Sequence, residues 1–99
     1  MVEIVWSASA INERNAIFHY WNHRNKSTMY SKKLRGLINS AIIEISNMPT
    51  IERPTNRPDT RFKVVRDYFI VYRITETVIR IIAFWDCRQN PEILDTIIG

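Results

Sequence analysis

Basic side chains recur at alternating positions in the C-terminal half of this 99-residue chain. Arg61 and Lys63 are two residues apart, and Arg88 closes the last apolar run. Residues two apart on a strand lie on the same face. A cationic face binds an anion, and the formal net charge of +4 also favours a nucleic acid or an acidic protein as partner.

Two histidines and one cysteine are the other groups with possible site chemistry. His19 and His23 are spaced i, i+4, which can place two metal ligands on one helix face. No third ligand follows at a recognisable spacing, so we expect neither a metal site nor a cofactor. Cys87 is the only cysteine, which excludes an internal disulfide and favours a reducing compartment. We expect it to be a small buried residue.

The bulk composition predicts one domain over residues 1–99. The hydrophobic fraction of 45% is typical of a folded globular chain. The first residues have neither the pattern of a signal peptide nor that of a membrane span, so we expect a cytoplasmic protein.

The N-terminal half predicts a strand and two helices. Residues 2–6 suit a short strand, and Ser7 or Ser9 can cap a helix running to about Asn22. A second helix, capped by Ser27 or Thr28 and ended by Pro49, has the strongest periodicity in the chain. Its apolar positions are Tyr30, Leu34, Leu37, Ala41, Ile45 and Met48. Residues 50–60 are predicted to form a loop.

From residue 61 the hydrophobic period changes to two, which predicts a three-stranded antiparallel meander. A two-residue turn at 76–77 gives the pairs Ile74 with Ile79, Tyr72 with Ile81, Ile70 with Ala83 and Tyr68 with Trp85. A three-residue turn at 65–67 then places Phe62 and Val64 on the same apolar face, against the helices. Residues 90–98 are predicted to form either a short amphipathic C-terminal helix or a tail.

The opposite, outer face of this sheet has an apolar centre with a basic rim, which is unusual for a surface in contact with water. We therefore expect a protein partner to cover it. The predicted partner-binding residues are Arg61, Lys63, Phe69, Val71, Arg73, Arg80, Ile82, Phe84 and Arg88, and Asp86 accompanies them. Arg73 and Arg80 are predicted to face each other, a pairing of like charges that an intervening carboxylate or anion would relieve.

The order of elements and two stretches of sequence resemble the RelE/ParE superfamily of toxins from type II toxin–antitoxin systems. The stretches are Met-Pro-Thr-Ile-Glu-Arg-Pro-Thr at 48–55 and Asp-Tyr-Phe-Ile-Val-Tyr-Arg-Ile at 67–74. The resemblance covers nearly the whole chain. It implies an α+β fold, in which an N-terminal strand and a two-helix hairpin pack on one face of a twisted antiparallel sheet. It also implies a cognate antitoxin as partner and a toxin–antitoxin hetero-oligomer.

Members of this superfamily differ in their targets. RelE-like toxins cut messenger RNA on the ribosome, where 2′-hydroxyl attack needs cations and proton-transferring groups. ParE-like toxins act on DNA gyrase and are not known as nucleases. If this chain is a nuclease, the resemblance implies Arg61, Lys63, Arg66 and Arg88 as its active group. However, Phe69 stands where cleaving members carry an arginine, and no Tyr or His follows Arg88.

The resemblance therefore favours a ParE-like toxin of the plasmid-stabilisation type. Such a toxin arrests growth by inhibiting a target such as DNA gyrase, and an antitoxin neutralises it by pairing with its sheet or by laying a helix across its helices. One alternative is a RelE-like, ribosome-dependent mRNA endoribonuclease (mRNA interferase). The other is a non-toxic family member that acts only as a binding module.

Overall fold

The computed structural model describes residues 3–88 and contains two helices and a five-stranded sheet within that range. In chain order the elements are β1 Glu3–Trp6, α1 Ala8–Asn25, α2 Met29–Asn47, β2 Arg53–Pro54, β3 Thr60–Val65, β4 Tyr68–Ile74 and β5 Val78–Asp86. The spatial order of the strands is β1-β5-β4-β3-β2. The predicted C-terminal helix lies outside the described residues.

The predicted α+β fold, with a strand and a two-helix hairpin before the sheet, is confirmed. The sheet is mixed and not wholly antiparallel. The meander β3-β4-β5 is antiparallel as predicted, whereas β1 pairs with β5 in parallel. The connection between β1 and β5 passes through both helices, and such a long crossover is what a parallel pair requires. The segment predicted as a loop also contributes the short strand β2, antiparallel to β3.

Helix α1 begins and ends at residues with a recognisable capping role, whereas Thr28 makes no side-chain capping hydrogen bond at the start of α2. The Ser7 hydroxyl accepts a hydrogen bond of 3.1 Å from the Ala10 N–H, as expected for an N-cap. Helix α1 continues to Asn25, three residues beyond the predicted end, and Lys26 then takes a left-handed conformation with φ 51°. Helix α2 follows Thr28 and ends two residues before Pro49.

The apolar stripe of α2 packs on the sheet, with Leu34, Ile38, Ala41 and Ile45 buried. These side chains join buried residues of the three long strands in the main core. The strand residues are Val65, Tyr68, Ile70, Tyr72, Ile79, Ile81 and Phe84. No helix within residues 3–88 is long and apolar enough to cross a membrane.

A β-bulge divides the β4–β5 pair, and the predicted register holds on only one side of it. Tyr72 pairs with Ile81 as predicted, but Val71 pairs with Ala83, which leaves Ile82 as an extra residue in β5. Beyond the bulge Tyr68 pairs with Asp86, and not with Trp85. Side chains after Ile82 therefore point to the faces opposite to those predicted, because the side-chain period of a strand is two.

The β3–β4 turn also moves the side chains of β3 to the faces opposite to those predicted. Val65 pairs with Tyr68, so the turn contains only Arg66 and Asp67, one residue fewer than predicted. Arg66 takes a left-handed conformation with φ 57°, which suits a two-residue hairpin turn. As a consequence, Arg61 and Lys63 face the helices, whereas Phe62 faces outward beside Val71.

Candidate functional site

The structure does not gather the predicted partner-binding residues on one face. Phe69, Val71, Arg73, Arg80 and Ile82 lie on the outer face as predicted. Arg61 and Lys63 lie on the helix side, and Phe84 is a core residue stacked on Tyr68, with ring centroids 5.2 Å apart. Asp86 and Arg88 line a cavity against α1, again on the helix side.

The apolar centre of the outer face is packed more tightly than predicted. Val71 and Ala83 have no exposed surface, and Phe62, Phe69, Ile82 and Trp85 pack around them. The rings of Phe62 and Phe69 meet edge to face, with centroids 5.0 Å apart. This face is thus a second, small core within the chain, with only partial exposure of its aromatic rim.

Arg73 and Arg80 face each other as predicted. Asp59 lies 3.7 Å from the Arg73 guanidinium, measured from Oδ2 to Nε. A carboxylate of the chain itself therefore relieves the like-charge pairing, and no external anion is needed for this purpose.

Lys63 is held by two carboxylates on the helix side of the sheet. Its ammonium lies 2.7 Å from Glu44 in α2 and 3.0 Å from Glu52, which precedes β2. The hydrogen bond to Glu44, together with Glu52, raises the pKa of Lys63. Arg61 donates to the backbone carbonyl of Glu52 at 2.8 Å. These two basic residues therefore stabilise the packing of α2 and β2 on β3.

Tyr72 belongs to the same region and links β4 to the end of α2. Its hydroxyl donates to the backbone carbonyl of Pro49. Burial and the nearby Glu52 raise the pKa of Tyr72 to about 12. The phenol therefore stays protonated at neutral pH and is not poised to act as a base.

Arg88 is paired with Asp86 two residues earlier. Its Nε lies 3.0 Å from Oδ1 and its Nη2 lies 2.8 Å from Oδ2, so the guanidinium binds the carboxylate with both arms. The hydrogen bond from Arg88 lowers the pKa of Asp86. The fork geometry that could bind a phosphate is thus occupied within the chain.

A cleft lies between α1, the start of β4 and the end of β5. A cavity of about 370 Å³ there is lined by Ala16, Ile17, Tyr20, Trp21, Tyr68, Asp86 and Arg88. The Trp21 indole N–H donates to the Tyr68 hydroxyl at 2.8 Å. Burial raises the pKa of Tyr68, so its proton remains available for donation to a bound group. The described residues of the cleft therefore offer aromatic walls and hydrogen-bond donors.

The cleft continues along α1 past Glu13. A neighbouring cavity of about 230 Å³ is lined by Glu13, Ala16, Ile17, Phe84, Trp85 and Asp86. Glu13 accepts a hydrogen bond of 3.0 Å from the Phe84 N–H, and burial raises its pKa. We did not predict Glu13, Trp21 or Tyr68 as site residues, because their convergence depends on the bulge in β5, which has no local signal in the sequence.

The two histidines lie together on one face of α1, where they line an open cavity of about 400 Å³ with Ala16, Tyr20 and Arg24. His19 and His23 are both exposed on α1. Within residues 3–88, no group of three or more His, Cys, Asp or Glu side chains is arranged to hold a metal ion. Cys87 is half-buried, and burial raises the pKa of its thiol, which disfavours the nucleophilic thiolate.

Residues 4–91 match the family described as ParE toxin of type II toxin–antitoxin system, parDE. The match spans most of the chain, and the chain belongs to this family. The resemblance seen in the sequence is thereby confirmed and narrowed from the superfamily to the ParE branch.

The fold is also similar to a solved structure described as the chromosomal ParDE TA system from P. aeruginosa. The TM-score is 0.60 at 14% sequence identity, covering 87% of this chain and 96% of the other. At this identity the likeness supports the fold alone. No curated protein sequence is significantly similar to this chain.

Proposed function

We propose that this chain is a toxin that arrests growth by binding and inhibiting DNA gyrase, and that a cognate antitoxin neutralises it. The proposal starts from membership of the ParE toxin family. The proposal is further supported by the candidate catalytic residues. A nuclease needs their cationic groups free to contact a phosphate, but Lys63 and Arg88 are paired with carboxylates of the chain.

The observation that carries the choice is the internal pairing of two of the four candidate cations. Lys63 is held by Glu44 and Glu52, and Arg88 is held by Asp86. Cleavage of RNA builds negative charge on phosphorus, which an enzyme stabilises with donors aimed at that charge. Donors already aimed at internal carboxylates are poorly placed for this task. Inhibition by binding requires no such group.

The direct test compares the two activities with the same purified protein. We expect the protein to inhibit DNA supercoiling by gyrase and to leave ribosome-bound messenger RNA intact, as read by primer extension in a translation reaction. Cleavage of the message together with unimpaired supercoiling would show the RelE-like activity instead. Normal growth on expression at good protein levels, with both reactions unaffected, would favour the non-toxic binding module.

The antitoxin part of the proposal is tested separately. The reading frame next to the gene for this chain should encode a small acidic protein. We expect that protein to bind the toxin and to restore supercoiling in the gyrase reaction. Failure of the adjacent protein to bind would contradict this part and leave the gyrase result standing.

A further inference from the structure

The net charge of the chain is concentrated in the helical hairpin, residues 8–47. This range contains six basic residues and two acidic ones, a balance of +4 that equals the formal charge of the whole chain. The remainder of the sequence is therefore balanced. Since Lys63 and Arg73 on the sheet are also paired with carboxylates, the unbalanced charge lies on the helices.

Both acidic residues of the hairpin are directed towards the sheet. Glu13 accepts from the Phe84 N–H, and Glu44 pairs with Lys63. Within residues 3–88, no ion pair joins either of them to a basic residue of the hairpin itself. All but one of the basic residues of the hairpin are exposed, the exception being the half-buried Arg14. The full set is Arg14, Arg24, Lys26, Lys32, Lys33 and Arg35.

Two of the arginines, one from each helix, converge on a single aromatic ring. The guanidinium carbon of Arg35 lies 4.6 Å from the centroid of Phe18, and that of Arg14 lies 5.9 Å from the same centroid. Arg14 also lies over the ring of Trp6, at 4.8 Å. Contact with an aromatic face restricts the orientation of a guanidinium, so both groups are partly preorganised for a ligand.

Within residues 3–88, no carboxylate pairs with either guanidinium. Arg14 donates to a neutral oxygen, Oδ1 of Asn15, at 3.3 and 3.4 Å. Burial, and then the charge of Arg35, lower the pKa of Arg14, as desolvation and like-charge repulsion both do for a cation. A phosphate group between the two side chains would remove this repulsion, and its oxygens can accept from both guanidinium forks.

The exposed face of α2 continues from this pair of arginines. At 100° per residue, Lys32, Arg35, Gly36 and Asn39 fall within an arc of about 100°, and all four are exposed. A Cβ atom built at Gly36 would meet no atom within 4 Å, so packing within the chain does not require glycine here. The short residues between the cations let a polyanion approach the helix closely, and the Asn39 amide can donate to a phosphate oxygen.

The residue types on this face favour the backbone of a nucleic-acid duplex as ligand. Cations repeated along the hairpin match the repeated charges of a phosphate backbone, whereas a single carboxylate would neutralise only one or two of them. No aromatic side chain lies on the arc of α2 to stack on unpaired bases, which disfavours a single strand. The exposed Ile43 and Glu44 follow on the same helix, so we place the contact on the part of α2 up to Asn39.

We infer that the helical hairpin binds the sugar–phosphate backbone of duplex DNA, with one phosphate between Arg14 and Arg35 and a neighbouring phosphate at Lys32. The DNA concerned is the duplex held by gyrase, so the inference rests on the proposed function in this respect. It adds a second contact to inhibition by binding, because the toxin then touches the DNA of the gyrase complex as well as the enzyme.

The test measures fluorescence anisotropy of a labelled DNA duplex of about 20 base pairs with the full-length toxin, in the absence of gyrase. The logarithm of the affinity should fall with the logarithm of the salt concentration with a slope of about −3.6, as expected for roughly four neutralised phosphates. Arg35→Gln should weaken binding about tenfold at low salt and Lys32→Gln about threefold, and each should make the slope shallower by about 1. Arg80→Gln removes the same charge from the outer face of the sheet and should change the affinity by less than about twofold.

Two further variants separate the geometry of the site from its charge and from stability. Arg35→Lys keeps the charge but loses the planar fork, so binding should weaken while the salt slope stays close to that of the wild type. Asn39→Glu places a carboxylate one turn from Arg35 and should abolish DNA binding. Its melting temperature should equal or exceed that of the wild type, because glutamate is the better helix former. A variant that is equally stable yet no longer binds cannot be explained by damage to the fold.

The outcomes distinguish this inference from the proposed function. Wild-type affinity in Arg35→Gln and Lys32→Gln, or an equal loss in Arg80→Gln, would overturn the DNA site while inhibition of gyrase could still stand. Tighter binding of a single-stranded oligonucleotide of the same length, or displacement of the duplex by polyglutamate at equal charge, would overturn the assignment to duplex DNA. Binding of DNA at the predicted residues, with supercoiling by gyrase unimpaired, would support the site and contradict the proposed function.

Discussion

The carboxylate of Glu13 in α1 accepts a hydrogen bond of 3.0 Å from the backbone N–H of Phe84 in β5. Strand β1 ends at Trp6, opposite Ile81, so β5 extends beyond its parallel neighbour. Glu13 thus satisfies an edge donor that no strand of the described chain reaches. This contact ties α1 to the part of β5 that follows the bulge.

Glu13 should give the protein a pH-dependent stability. Burial raises its pKa in the folded state, so the folded chain binds more protons than the unfolded chain between the two pKa values. The free energy of unfolding therefore falls as the pH rises from the ordinary carboxyl pKa to the higher pKa of Glu13 in the folded state. Urea unfolding over this range should show the fall in the wild type and a weaker fall in Glu13→Gln.

The Glu13→Ala variant separates the charge from the hydrogen bond. Glutamine keeps an acceptor for the Phe84 N–H, whereas alanine leaves that donor without one. We expect Glu13→Ala to lose about 1 kcal/mol of unfolding free energy at neutral pH, and Glu13→Gln to equal or exceed the wild type. Equal losses in the two variants would refute the role of the carboxylate charge.

The Trp21–Tyr68 hydrogen bond should be measurable as a coupling energy. Tyr68→Phe leaves the Trp21 indole N–H without its acceptor, so the single variant should lose about 1 kcal/mol. A double-mutant cycle with Trp21→Phe should give a coupling of about 0.5–1.5 kcal/mol by chemical denaturation. Additive losses would show that the 2.8 Å contact contributes nothing in solution.

Lys63 should act on stability and not on chemistry. Its side chain is 18% exposed and lies between Glu52, 17% exposed, and Glu44, 62% exposed. Lys63→Met leaves Glu52 largely buried without its cation, and we expect a loss of about 2 kcal/mol. Lys33→Met, on the exposed side of α2, should stay within about 0.5 kcal/mol of the wild type.

The two carboxylates around Lys63 should differ in importance. Glu52→Gln should destabilise the protein more than Glu44→Gln, because the exposed Glu44 pair is screened by water. Thermal unfolding of the two variants gives the comparison directly. A larger effect at Glu44 would contradict the burial argument.

Arg66 occupies a backbone conformation that favours glycine. Its φ is 57°, a region that costs an L-residue about 1–2 kcal/mol. We expect Arg66→Gly to stabilise the hairpin by a few tenths to about 1 kcal/mol, with Arg66→Ala neutral or slightly destabilising. If Arg66→Gly also keeps full toxicity, Arg66 is not part of an active group. Destabilisation by glycine would contradict the assigned turn.

Much of the fold could be predicted from local sequence. The periodicity of α2, the Ser7 cap and Pro49 located the helical hairpin, and alternation located the three long strands. The pairings of Tyr72 with Ile81 and of Arg73 with Arg80 followed from a two-residue turn and are confirmed. These features depend on residues that are close together in the sequence, so they can be predicted from one sequence alone.

The candidate site was predicted less well, for two local reasons. The β3–β4 turn has no glycine to mark its left-handed position, and a turn one residue too long reversed the faces of Arg61 and Lys63. The extra residue Ile82 then reversed the faces of Phe84 and Arg88. Apolar residues occupy both faces of this sheet, so the alternation in the sequence does not distinguish the observed register from one shifted by a residue. It therefore could not reveal the shorter β3–β4 turn or the bulge at Ile82.

The sequence by itself determined the order of the elements, the ParE-type resemblance and the total charge of +4. Only the tertiary structure decided which charges remain free. Carboxylates distant in sequence neutralise two of the sheet cations, since Glu44 and Glu52 pair with Lys63 and Asp59 pairs with Arg73. In the described residues Arg14 and Arg35 meet over Phe18 without a carboxylate. The physical reason is that an ion pair depends on distances of a few ångströms, which are set by packing between elements and not by spacing along the chain.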